Sequence, residues 1–199
     1  MNKIICLVLP LLLLAAGCLQ VPLGYTPDDP LKTAAPGSPK YDVTYSVDYV
    51  ADGGLGSGDG IASQTVLADY VRDHLKQSGA FSRVEPRPFA EKSNYHIHFI
   101  AHYSTIGHDE VQPIALLMGI SLCGIPVWIT SSLDMSAILY LNQQPVYSPS
   151  ASEGLRKFIW VGFLPAGLVW NSWWAWTTQE KKCIRFLVNR ITDHQRTLP

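Results

Sequence analysis

The sequence predicts an α+β fold: a small mixed α/β domain of order strand-helix-strand-strand, then two long apolar segments flanking a β-hairpin, then a C-terminal amphipathic helix. Three observations predict it. Residues 41–50 alternate apolar and polar side chains, the period-two pattern of a half-buried strand. Residues 61–78 repeat apolar side chains at three- and four-residue spacing, as a helix lying on a core does. Residues 111–133 and 158–179 contain no charged residue. The expected segments are 1–17, 18–40, 41–110, 111–179 and 180–199.

The chain opens with a short positive region at Lys3, followed by a nearly unbroken apolar run over 4–16. That run matches the core of an export signal and is shorter than the ~20 residues a membrane span needs. Small residues follow at Ala15, Ala16 and Gly17, and then Cys18. The stretch Leu14-Ala15-Ala16-Gly17-Cys18 resembles the lipobox of bacterial lipoproteins. The third position before the cysteine, commonly Leu in that family, is Ala15 here, with Leu14 one step further out. The resemblance implies that residues 1–17 are a signal peptide. It also implies that the Cys18 thiol takes a diacylglyceryl group, and that the amino group freed by cleavage is acylated. An ordinary secretory signal followed by a chance cysteine is the alternative. Several acyl chains together hold a protein stably on a membrane, each buried CH₂ contributing about 0.8 kcal/mol. Leu19 follows the cysteine where an Asp is absent, which by resemblance to Gram-negative lipoproteins sorts the protein to the outer membrane, facing the periplasm. An inner-membrane place is the alternative.

After cleavage ~180 residues remain, enough for one domain with appended elements. The formal net charge of −1 leaves no electrostatic footprint for nucleic acid. Charged residues make up only 16%, and mean hydropathy is +0.10, so apolar surface has to be buried against something. Cys6 leaves with the signal and Cys18 takes lipid. Cys123 and Cys183 read as two buried free thiols; an oxidising periplasm makes a disulfide the alternative.

Residues 19–40 carry Pro22, Pro27, Pro30, Pro36 and Pro39, which predicts an extended tether between lipid and fold. In the strand over 41–50, Tyr41, Val43, Tyr45, Val47 and Tyr49 share one face, and Asp42, Thr44, Ser46 and Asp48 the other. The glycine-rich run over 51–60 lies between a strand and a helix, as phosphate-binding loops do. It has no Gly-Lys-Ser/Thr and no dinucleotide spacing, so it reads as a flexible connection. In the helix over 61–78, Leu67, Tyr70, Val71, His74 and Leu75 form the apolar face, and Gly79 supplies the stop. Strands over 81–85 and 94–103 follow. The junction Ser78-Gly79-Ala80-Phe81-Ser82-Arg83-Val84-Glu85 resembles one in a group of envelope proteins that includes the TolB amino-terminal domain and the curli-secretion lipoprotein. That resemblance covers about 65 residues and implies a module for periplasmic protein contacts.

Residues 137–141 and 146–147 flank Asn142-Gln143-Gln144-Pro145, which predicts two strands and a turn. In the C-terminal helix Ile184, Leu187, Val188 and Ile191 form a stripe, with Lys181, Lys182, Arg185 and Arg190 mostly on other faces. Each uncharged segment is long enough to cross a bilayer. Charge argues against crossing. The tail carries Lys181, Lys182, Arg185, Arg190 and Arg196, and the loop between the segments only Arg156 and Lys157, opposite to the positive-inside bias. The segments therefore read as an apolar hairpin shielded by lipid or by neighbouring subunits. Trp160, Trp170, Trp173, Trp174 and Trp176 crowd one stretch; such rings bind sugars or sit at membrane interfaces, and their apolar company favours the second role.

The strand Tyr95-His96-Ile97-His98-Phe99-Ile100-Ala101-His102 is the one candidate for chemistry. Alternation puts His96, His98 and His102 on one face, where imidazoles ligate zinc if three converge and a position stays open. His108, Asp109 and Glu110 offer a further ligand. The bland alternative is a polar face turned to solvent, opposite Tyr95, Ile97, Phe99 and Ala101. No Gly-x-Ser-x-Gly elbow and no His-Glu-x-x-His occurs. Two functions follow from the sequence: a non-enzymatic envelope lipoprotein with a protein partner or self-association, without a cofactor beyond the lipid on Cys18; or a periplasmic zinc protein or metalloenzyme built on His96, His98 and His102.

Overall fold

A computed structural model describes residues 17–35, 37, 40–52, 60–91, 93–106, 127–160 and 172–196. Residues 1–16, expected as export signal, Cys123, residues 108–110, most of the first uncharged segment and half of the second lie outside this range. Over the described residues the protein is α+β, mostly sheet with two helices. The elements are β1 (Gly17–Pro22), β2 (Tyr41–Asp52), α1 (Gly60–Gln77), β3 (Phe81–Pro86), a single 3₁₀ turn (Phe89–Glu91), β4 (Tyr95–Ile106), β5 (Val127–Leu141), β6 (Gln144–Tyr147), β7 (Ser150–Trp160) and α2 (Ser172–Gln195). Hydrogen-bonded strand order is β1-β7-β5-β4-β2-β3, with β6 beside β5. Among the described residues no helix is long and apolar enough to cross a membrane.

The chain divides into two compact units, neither contiguous in sequence; β4, β5, β7 and α2 each contribute to both. One comprises Met1–Leu23, Thr105–Ser132 and Gly154–Thr178. Its described centre is β1 running antiparallel to β7, from Gly17 opposite Trp160 to Pro22 opposite Leu155. A strand here departs from the expected tether. Leu19, Gln20 and Val21 pair with a neighbouring strand before the proline spacing takes over.

The other unit comprises Gly24–Ser104, Leu133–Glu153 and Gln179–Pro199. Here β2 runs parallel to both β3 and β4. Val43, Tyr45 and Val47 of β2, Ile97, Phe99 and Ala101 of β4, and Leu133, Met135, Ala137 and Leu139 of β5 are buried. Leu67, Val71 and Leu75 of α1 and Cys183, Ile184, Leu187, Val188 and Ile191 of α2 supply the buried helical stripes. Tyr70 and His74 flank the α1 stripe, half-buried. The His74 ring shares a hydrogen bond with the Tyr70 carbonyl at 2.8 Å. Gly79 ends α1 in the left-handed region, with φ +64°, where a side chain is costly. Asn142 and Gln143 both take positive φ, 49° and 68°, and turn β5 into β6 as a two-residue hairpin requires.

The uncharged segments are not single elements where they are described. The first ends inside β5 and the second begins inside β7 and ends inside α2. Val127, Trp128, Ile129 and Thr130 are branched or aromatic residues that favour a strand.

Residues 24–35, also expected as tether, are held at many points. The Thr26 amide donates to Glu153 Oε1 at 2.9 Å, and its hydroxyl to the Ser152 carbonyl at 2.8 Å. Asp28 pairs with Arg185. The Lys32 amide donates to Asn189 Oδ1 at 2.7 Å, and Asn189 donates to the Pro30 carbonyl at 2.9 Å. The Ala34 amide donates to the Ser78 carbonyl at 2.8 Å. Proline spacing excludes a helix but leaves the intervening amides and carbonyls free to bond along a folded surface.

Candidate functional site: a buried histidine ladder

The parallel register of β2 and β4 sets Thr44 opposite His96 and Ser46 opposite His98. Neighbouring strands lie about 4.8 Å apart, so side chains in register on one face touch. Hydroxyls from β2 therefore alternate with imidazoles from β4. Thr44 Oγ1 lies 2.8 Å from His96 Nδ1, Ser46 Oγ 2.9 Å from His96 Nε2, and Ser46 Oγ 2.7 Å from His98 Nδ1. At one end Ser93 Oγ is 2.7 Å from Thr44 Oγ1 and donates to the Tyr95 carbonyl at 2.7 Å. At the other, His98 Nε2 is 3.4 Å from the carboxylate of Asp48, whose side chain is 58% exposed. The Phe89 ring, carried by the 3₁₀ turn, packs 4.4 Å from the His98 ring and 5.3 Å from Tyr140 of β5. That turn is tied to β2 by the Arg87 amide donating to the Tyr45 carbonyl at 2.9 Å.

The polar side of β4 is thus not turned to solvent. His96 is 0% and His98 6% exposed, while Ile97, Phe99 and Ala101 on the opposite side are fully buried. Strand β4 is interior on both faces over this stretch. Among the described residues, Phe89 and Tyr140, distant in sequence, pack on this second face.

Each hydroxyl has one hydrogen to give, so the ladder can run in either direction. If Ser93 donates to the Tyr95 carbonyl, Thr44 donates to Ser93 and His96 donates through Nδ1 to Thr44. Ser46 then donates to His96 Nε2, and His98 donates through Nδ1 to Ser46. In that order His98 Nε2 needs a second proton to face Asp48 favourably. In the reverse order Ser93 donates to Thr44, Thr44 to His96, His96 to Ser46 and Ser46 to His98. Both rings are then neutral, and His98 Nε2–H points to Asp48.

Ser46, His98 and Asp48 are the residue types of a nucleophilic triad. Their hydrogen bonding differs from that of a triad at the serine. A nucleophilic serine presents its hydroxyl to a substrate cleft, with one base behind it. Ser46 Oγ instead bridges two imidazoles from the middle of a strand. Nor does the ladder gather a metal set. His102 lies further along β4, half-buried and in register with Val50. Among the described residues no three His, Cys, Asp or Glu side chains converge in a way that would hold a metal ion. The ring nitrogens of His96 and His98 face hydroxyls and a carboxylate.

A second buried polar group joins β7 to α2. Glu153 is 0% exposed; its Oε1 accepts from the Thr26 amide and pairs with Lys182 Nζ at 2.7 Å, while its Oε2 is buried without a hydrogen-bond partner among the described residues. Cys183 beside it is a free thiol, and burial, reinforced by the Glu153 charge, pushes its pKa up to about 12. A thiol so placed stays protonated and unreactive. Neither Glu153 nor the hydroxyls of Thr44 and Ser46 stood out in the sequence. Period-two alternation marked the polar face of β2, but nothing local marked its register against β4.

No family model and no curated protein matches the chain. Among solved structures it is similar to a Xanthomonas campestris protein of the DUF330 family, at 12% identity over 83% of this chain and 94% of that one, with a TM-score of 0.41. It is also similar to a neuraminyllactose-binding hemagglutinin homologue from Helicobacter pylori, at 8% identity over 84% and 90% of the two chains, TM-score 0.41. A third is the PelC dodecamer from Paraburkholderia phytofirmans, at 11% identity over 86% and 96%, TM-score 0.34.

Proposed function

We propose that the protein is a lipid-anchored component of the cell envelope whose folded part serves protein contacts and performs no reaction of its own. One observation carries the reading: a positive residue, a 4–16 apolar run and small residues meet at Cys18 in the order a lipidated export signal requires. Acyl chains on Cys18 hold the protein on the membrane, with the outer membrane facing the periplasm as its place by the Leu19 rule. The histidine ladder supports a non-enzymatic role, because its hydroxyls and imidazoles bond to one another inside the sheet. The reading is tested by Cys18→Ala. Wild-type protein is expected in membranes after an alkaline carbonate wash, and the variant as an unprocessed or soluble species. A variant that still fractionates as mature, wash-resistant protein overturns the reading.

A further inference from the structure

Cys18 is the second residue of β1, and its backbone sits opposite Ile159 of β7. Pairing continues without a break: Leu19 opposite Phe158, Gln20 opposite Lys157, Val21 opposite Arg156 and Pro22 opposite Leu155. The Leu23 amide then donates to the Gly154 carbonyl at 2.8 Å. No free linker therefore separates the residue that would carry the lipid from the hydrogen-bonded sheet. A flexible tether over 19–40 would have put the anchor about 25 Å from the fold, on a coil scale of about 5–6 Å × √n. An antiparallel partner strand lies about 4.8 Å away.

We infer that the sheet edge formed by β1 and the 156–160 end of β7 rests directly on a lipid bilayer, so that the unit holding this edge lies against the membrane rather than swinging on a leash. This rests on acylation of Cys18. Composition agrees with it. From Phe158 onward 22 residues hold no charge and five tryptophans, the side chains that favour the boundary between headgroups and hydrocarbon. Arg156, exposed, and Lys157 precede that stretch and suit anionic headgroups. The occupant is a bilayer surface. A protein partner covering the same edge is the contrary outcome.

The test uses the full mature, acylated protein carrying Cys123→Ser, with a bimane label on Lys157→Cys and, separately, on Arg156→Cys. Each is reconstituted in vesicles of phosphatidylethanolamine and phosphatidylglycerol, with plain or brominated acyl chains. Residues 156 and 157 are far from Cys18 in sequence and near it only through the β1–β7 register. Both labels are expected to lose most of their emission in brominated vesicles. The mass of the same samples reports acylation. Acylated protein whose two labels emit equally in both vesicles overturns direct contact and leaves the anchor standing. An unmodified Cys18 overturns the anchor, and direct contact with it.

Discussion

Replacing His96 by alanine is expected to destabilise the protein by about 3–5 kcal/mol, and the figure follows from its surroundings. The ring is 0% exposed, with both nitrogens bonded, to Thr44 at 2.8 Å and Ser46 at 2.9 Å. Each lost hydrogen bond costs about 0.5–1.5 kcal/mol net. The ring also packs against Phe89 and Tyr140, at centroid distances of 5.9 and 6.4 Å. Truncating a buried ring leaves a cavity, and large-to-small core changes cost about 2–5 kcal/mol. Thr44 and Ser46 each keep another partner, Ser93 and His98, which holds the total below the sum of the extremes. For a chain of this length the loss corresponds to a fall in Tm of roughly 10 °C. The assay is urea unfolding of the detergent-solubilised protein, followed by tryptophan fluorescence, with His102→Ala as the half-buried comparison. His102→Ala is expected to cost under about 1 kcal/mol. A His96→Ala protein within about 0.5 kcal/mol of wild type would put this face in solvent, as the sequence alone suggested, and refute the ladder.

Three further outcomes are expected. Burial raises the Glu180 pKa from 4.5 to about 7, so the fold is favoured by the protonated form; that contribution is complete below pH 4.5 and is lost as pH rises through about 7. Glu180→Gln should therefore match wild type near pH 4.5 and exceed it by about 1–3 kcal/mol at pH 8, and an equal difference at both pH values in urea unfolding would contradict this. Lys182→Met leaves Glu153 buried with its cation gone and should cost about 3–5 kcal/mol in urea unfolding; Glu153→Gln added to it should recover part of that loss, whereas additive losses would show that the two side chains do not pair. Gln143 adopts φ 68° in the β5–β6 turn, so Gln143→Gly should stabilise by about 1 kcal/mol, and a lower Tm would mean that the turn is not of the expected hand.

The elements with local periodicity were legible in the sequence. Tyr41 to Val50 announced β2, the Leu67, Val71 and Leu75 spacing announced α1, Gly79 announced a helix stop, and Asn142-Gln143-Gln144-Pro145 announced a hairpin turn, of which Gln144 and Pro145 belong to β6 instead. What was hidden is non-local. The histidines of β4 pair with Thr44 and Ser46 some fifty residues earlier, and a parallel register leaves no trace in either strand alone. One-sided burial makes His96 and His98 solvent-facing in the sequence; among the described residues Phe89 and Tyr140, arriving from a turn and from β5, pack on that face. Prolines between 22 and 39 suggested a leash, yet proline constrains φ without preventing the residues between from bonding to Glu153, Asn189 and Ser78. Glu153 is a single carboxylate in a strand, and no sequence pattern distinguishes a buried, paired carboxylate from an exposed one.

Lipid at Cys18 is the claim on which location, anchoring and membrane contact all depend. Its most direct test is the mass of the N-terminal peptide from protein isolated with its native export signal. The account predicts a chain beginning at Cys18, carrying a thioether-linked diacylglyceryl group and an amide-linked acyl chain, with nothing from residues 1–17 remaining. A mature peptide with a free Cys18 thiol, or one cleaved at another residue, would contradict it.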